Sequence, residues 1–187
     1  DIDGFQIPFT SDTASLSFDV CGQAAVSGII SLQGRLTPMD AGEVRLIDQG
    51  GDFPDIIVPF NATTGAFSFP SIPVLPGGSN YLMQATHILY IGNQKALIDL
   101  DPGDNLTNQN TRLLGGDANN SGLTTPFTTG VDITDITCIT VEFGNPAPTG
   151  CGTNPNSSTD INKDLITNIQ DLSPAGGNYF KNPFQNW

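Results

Sequence analysis

Residues Thr63–Thr86 read TTGAFSFPSIPVLPGGSNYLMQAT. Phe67 and Phe69 alternate with Ala66, Ser68 and Pro70, so one face of this stretch is apolar, the mark of a half-buried strand. Thr64-Gly65 before it and Pro76-Gly77-Gly78 after it are turn chemistry, and Tyr81 then opens a new apolar run. The pattern repeats outward in both directions. Short strands are expected over Val26–Gln33, Glu43–Asp48, Ile56–Phe60, Ala66–Pro70, Tyr81–Tyr90 and Gln94–Leu100, with Gly50-Gly51 as a further turn. Strands this short, at this spacing, predict an antiparallel β-sandwich over residues 25–100.

Two segments flank it. Residues 1–24 form an N-terminal extended segment in which Phe5, Ile7 and Phe9 alternate with Gln6 and Pro8, and Leu16, Phe18 and Val20 with Ser17 and Asp19. Pro8 cannot donate to a ladder and belongs at an edge. Such a strand suits donation to a neighbour's sheet, head to tail, which builds a filament. It equally suits the first strand of the chain's own sandwich. Residues 101–114, DPGDNLTNQNTRLL, read as a polar connector, and beyond Gly115 alternation gives way to clusters of Asp and Asn.

Residues 160–171, DINKDLITNIQD, carry oxygen-bearing side chains at the first, third, fifth, ninth and twelfth places. A calcium loop of EF-hand type wants oxygens there and a backbone carbonyl at the seventh. Asp160, Asn162, Asp164, Ile166 (carbonyl), Asn168 and Asp171 meet that demand. An upstream copy offers Asp117, Asn119, Ser121 and Leu123 (carbonyl), then Asp132 and Asp135, provided Thr124–Gly130 bulges out as an insertion that could hand the carbonyl role to Gly130. One match in an Asx-rich chain arises by chance; a tandem pair argues for duplication. Asp132 and Asn168 are placed to cap short helices, with Asp135 and Asp171 three residues on, and Pro174 and Gly176-Gly177 should keep the second helix short.

Two resemblances follow from these residues. The run VSGIISLQGR…GEVRLID…TTGAFSFPSIPVLPGGSNYLMQAT is similar to the secreted CnaB-like or carboxypeptidase-regulatory-like sandwiches, which implies an Ig/prealbumin-like fold for residues 25–100. The paired loops resemble dockerin-type repeats over residues 115–180, within a C-terminal unit spanning 115–187. That resemblance implies a small helical module holding two Ca²⁺, and a cohesin-like partner docked at Ile133-Thr134 and Ile169-Gln170. Ser121 stands where a carboxylate is usual, which should weaken the first site. Leu165 stands where glycine is usual, which should strain the second by roughly 1–3 kcal/mol.

Composition narrows the function. The net charge is −13, from 6 basic and 19 acidic residues, which argues against nucleic acid and anionic membranes. Two Ca²⁺ would bring −13 to −9. No run approaches the ~20 apolar residues of a membrane span. The abrupt start at Asp1 suits a processed product as well as a cytosolic one. Cys138 and Cys151 flank a flexible Gly-Asn-Pro-Ala-Pro-Thr-Gly loop and could pair in an oxidising compartment, leaving Cys21 over. Asn61, Asn105, Asn119 and Asn156 begin N-glycosylation sequons. His87 is the only histidine and Glu43 and Glu142 the only glutamates, and no nucleophile–base set or phosphate loop appears, so no enzyme is expected. The expectation is an extracellular, calcium-stabilised structural protein that self-assembles as a homo-polymer through its N-terminal strand. The alternatives are a docking module for a cohesin-like partner and a carbohydrate-binding or adhesive domain, for which Tyr81, Tyr90, Tyr179 and Trp187 would be the platform.

Overall fold

The computed structural model describes residues 22–35, 40, 42–121, 130–146, 148–151, 154, 156–182 and 184–187. Eight strands come first: β1 (Gly22–Leu32), β2 (Glu43–Asp48), β3 (Ile56–Pro59), β4 (Ala66–Val74), β5 (Ser79–His87), β6 (Tyr90–Leu100), β7 (Asn105–Leu106) and β8 (Thr111–Gly115). Two helices follow, α1 (Ile133–Val141) and α2 (Ile169–Gly177), and then β9 (Phe184–Asn186). The strands run β3-β2-β5-β6-β8-β1-β4 across the sheet, with β7 on β1 and β9 on β6. The path turns at β8, antiparallel to β6 at Tyr90 and Ile91 but parallel to β1 at Ile30–Leu32.

Alternation places the core. Val26, Ile30 and Leu32 of β1 and Phe67, Phe69, Ile72 and Val74 of β4 are buried with Val44 and Leu46 of β2 and Tyr81, Met83 and Ala85 of β5. The molecule is mainly β, a sandwich as the period-two pattern predicts. Pro70 and Pro73 are tolerated because β4 ends the sheet path, where a missing N–H breaks no ladder.

Several boundaries differ from expectation. Tyr81–Tyr90 is not one strand: β5 and β6 form a hairpin around Ile88 and Leu89, with Leu89 at φ 66°. Neither residue is turn chemistry; the turn is held by the second half of the chain, since Gly116 and Asp117 donate their N–H groups to the Leu89 carbonyl. Residues 101–114 are not merely a connector, for they contain β7 and most of β8. Leu113 is fully buried there, and Asn110 Oδ1 accepts from Ile29 N at 2.9 Å, a side chain standing in for a ladder partner. Gly22, the first described residue, is already in β1, ahead of the boundary expected at residue 25. The candidate donor strand and Cys21 lie outside the described residues.

The second half shares this core. Ala118, Val131, Ile139, Cys151, Ile161 and Ala175 belong to the same buried cluster as the strands. Arg35 Nε donates to the Ile161 carbonyl at 2.8 Å, and the guanidinium lies 5.1 Å from the Tyr90 ring centre. Asn178 Nδ2 donates to Gln33 Oε1 at 2.6 Å and to the Gly115 carbonyl at 2.7 Å. The C-terminal tail covers the sandwich. β9 adds parallel to β6, and Trp187 packs edge-on to Phe67. Phe180 stays exposed. No helix among the described residues is long and apolar enough to cross a membrane.

Candidate metal centre

Each Asx-rich loop is built by its own side chains. In the second, Asp164 N donates to Asp160 Oδ1 at 3.1 Å and to Asn162 Oδ1 at 2.9 Å. Asp171 Oδ1 accepts from Asn162 N at 3.1 Å and from Ile161 N at 2.7 Å, and its Oδ2 from Asn168 N at 2.9 Å. Asn168 caps α2 by accepting from Gln170 N at 2.7 Å.

The first loop repeats most of this scheme. Ser121 N donates to Asp117 Oδ1 and to Asn119 Oδ1, both at 2.8 Å. Asp135 accepts from Asn119 N at 2.9 Å and from Asp132 N at 2.8 Å. Asp132 caps α1 through Thr134 N at 2.7 Å. The fourth places match as well, Asn120 at φ 54° and Lys163 at φ 63°. Equivalent residues thus make equivalent bonds in both loops.

The loops differ in how their carboxylates converge. Asp160, Asp164 and Asp171 bring one oxygen each within 4.8 Å of the others, the only such group of three acidic or metal-ligating side chains among the described residues. Asp117, Asp132 and Asp135 do not converge to that degree, and Leu123 lies outside the described residues. In the second loop Ile166 and Asn168 adjoin the cluster: Ile166 N donates to Asp164 Oδ1, and Asn168 Nδ2 to Asp164 Oδ2 at 3.2 Å.

Charge is held here at a cost. Burial pushes the Asp135 carboxyl up to about 6, with the neighbouring Asp132 charge adding to it and backbone N–H groups opposing. Burial raises Asp171 likewise, reinforced by Asp160. Burial acts upward on exposed Asp164 too, yet hydrogen bonds from Asn162, Ile166 and Asn168 bring it below the usual carboxylate range. Buried carboxylates forced together in this way are relieved by a cation.

Cys138 and Cys151 form a disulfide, Cα atoms 5.7 Å apart. Among the other candidates, Asn61, Asn105 and Asn156 are exposed, whereas Asn119 is buried within its loop. Tyr81 and Tyr90 are buried and offer no sugar platform. His87 is buried between Phe60 and Tyr90, as a core residue would be. Sequence reasoning missed Gln33, Arg35, Leu89 and Asn178, which seat the loops on the sandwich; each contacts residues far away in the chain, so no local signal marks it.

No protein-family model matches the chain, and no curated protein matches it. Among solved structures, the fold is similar to a chain from an N-terminal interface mutant of the type II cohesin–X–dockerin complex of Acetivibrio cellulolyticus. The TM-score is 0.60 at 18% identity, covering 86% of this chain and 97% of that one. A chain from a C-terminal interface mutant of the same complex aligns with TM-score 0.56, at the same identity and coverage. At this identity the likeness is one of fold.

Proposed function

We propose that the chain is a non-catalytic, extracellular docking module whose two Asx-rich loops bind Ca²⁺ and whose helices dock a cohesin-like protein. The observation that carries the docking reading is a pair of equivalent exposed apolar residues. Ile133 and Ile169 are the first residues of α1 and α2, each follows the capping residue of its loop, and they are 60% and 62% exposed. Apolar residues left in solvent at matching positions are what a partner-facing surface needs. Phe143 and Val141 near the end of α1 are exposed too.

Two further points support the reading. Residues 22–115 make up only about half of the chain, whereas the fold likeness covers 86% of it, so that likeness extends into the Asx-rich half. The convergent Asp160, Asp164 and Asp171 oxygens suit a hard cation that takes oxygen ligands. Asp160, Asn162, Asp164, Asp171 and the Ile166 carbonyl would hold it, with Asn168 supplying a ligand directly or through water. The first loop would use Asp117, Asn119, Ser121 and Asp135 with Asp132. The bound ion would neutralise the carboxylates and so hold each loop against its helix.

The test is titration calorimetry of the full chain against a type II cohesin from Acetivibrio cellulolyticus, with calcium and then with EGTA. Binding that disappears in EGTA, and that Ile133→Asp/Ile169→Asp weakens at least about tenfold, is the expected result. Calcium uptake without affinity for any cohesin type would overturn the docking reading. Absence of calcium uptake would overturn the metal reading.

A further inference from the structure

We propose that the Cys138–Cys151 disulfide is a redox clamp on the second loop: its reduction releases Gly144 and Asn145 from Thr167 and thereby lowers the loop's affinity for calcium. The affinity clause rests on the calcium reading above; the clamp itself rests on the geometry of the segment between the two loops. The disulfide closes a ring of sequence separation 13 that begins on α1. Inside the ring the Glu142 carboxylate gathers its neighbours. It accepts from Thr149 N at 2.9 Å, Thr149 Oγ1 at 2.6 Å and Asn145 Nδ2 at 3.3 Å. Hydrogen bonds from Thr149 hold it below the usual carboxylate range.

This gathered segment then pairs with the second loop. Gly144 N donates to the Thr167 carbonyl at 2.7 Å, and Thr167 N donates to the Asn145 carbonyl at 3.2 Å. Thr167 lies between Ile166 and Asn168, two of the oxygen donors assigned to the cation. Its hydroxyl is 2.7 Å from that of Thr159, which adjoins Asp160 and reaches Glu142 at 3.4 Å. Beyond Cys151 the chain braces the first loop instead, through Asn154 Nδ2 to the Asn119 carbonyl and Ser158 N to the Ala118 carbonyl, both 2.9 Å. The ring's own contents thus touch the second loop, and the chain just beyond it touches the first.

Cys151 is buried and Cys138 only half-buried, so attack is assigned to Cys138, the more exposed residue of the pair. A dithiol reductant attacks there as thiolate, the S–S bond breaks, and Cys151 leaves as thiolate. The reductant's second thiol then displaces Cys138. The dithiol ends as a cyclic disulfide, and both cysteines take up protons.

The experiment uses the full chain. Calorimetry with calcium chloride is run on the oxidised protein and on Cys138→Ser/Cys151→Ser; a loss of at least about tenfold in second-loop affinity is expected. Linkage requires calcium to move the disulfide of the unmodified protein toward oxidation by the same factor, about 30 mV per tenfold. Hydrogen exchange in EGTA reads the clamp without metal. Protection at Gly144 and Thr167 should fall at least about tenfold on adding dithiothreitol. Glu142→Ala, with the disulfide intact, should lower the same protection in part. If exchange at Gly144 and Thr167 is unchanged by reduction, the clamp is overturned. If exchange responds while calcium affinity and reduction equilibrium ignore one another, the coupling to calcium is overturned. An oxidised chain that takes up no calcium sinks the calcium reading, and the exchange result still decides the clamp.

Discussion

Leu165 adopts the backbone of a glycine, φ 77°, and is 75% exposed. Nothing packed around it repays that conformation; the backbone does, since Leu165 N donates to Asp160 Oδ2 at 3.0 Å. Leu165→Gly should therefore stabilise the metal-free loop by about 1 kcal/mol, after allowing for the greater freedom of glycine in the unfolded chain. A melt in EGTA measures it. His87 makes a second residue-level case. Burial lowers its pKa, with the nearby Arg35 charge acting in the same direction. The unfolded chain then takes up this proton first as pH falls. The contribution of His87 is complete above the unfolded value of 6.5 and is lost as pH falls from there through the lower folded value. Asp135, raised to about 6, gains stability over the same range, so the His87 contribution is read as a difference: from pH 7 to 5 the wild-type denaturant midpoint should fall relative to that of His87→Gln.

At the scale of elements, the contact that seats the second half is between β8 and α2. Gly116 has φ 120°, and a Cβ built there would lie 2.5 Å from Ala175 Cα. Backbone cannot yield as a flexible side chain does, so Gly116→Ala must push α2 off the strand. A loss of about 3 kcal/mol or more is expected, read by urea unfolding. A wild-type midpoint would show that α2 can shift without consequence. The same contact explains the unexpected hairpin. The Leu89 carbonyl receives Gly116 N and Asp117 N, so the β5–β6 turn is shaped by a partner distant in the chain rather than by Gly or Asn of its own.

For the whole molecule, the shared core sets how calcium and stability are linked. Ile161 is fully buried beside Tyr90 and Gly115, and its carbonyl takes both the Arg35 bond and the Tyr90 hydroxyl. Loss of metal from the second loop should thus reach the sandwich. Each site filled at a hundredfold excess over Kd adds about 2.7 kcal/mol. EGTA should lower Tm, and calorimetry should show one transition moving as a unit. Two separate transitions would mean that the halves unfold independently, and a Tm indifferent to EGTA would remove the metal from the account.

Much of this molecule is legible in its residues. Strand alternation is local, and β2 has the very ends read from its sequence, Glu43 and Asp48. The helix caps are local too: Asp132, Asp135, Asn168 and Asp171 each accept there from a backbone N–H two or three residues away, so spacing alone predicts both. Long-range partners decided the rest. β7 carries too few residues to show a period and the adjacent Leu113 and Leu114 of β8 break alternation, so both become strands where β1 and β6 offer them edges. The tail becomes β9 because Gly92 lets Phe184 approach where a Cβ would stand 2.8 Å from its ring. The sequence already sets the loops apart, with Ser121 standing where the second loop has Asp164; the tertiary structure adds how closely the Asp160, Asp164 and Asp171 oxygens are drawn together. A sequence determines which bonds each residue can make with its neighbours; which distant surface completes them depends on how the buried faces pack.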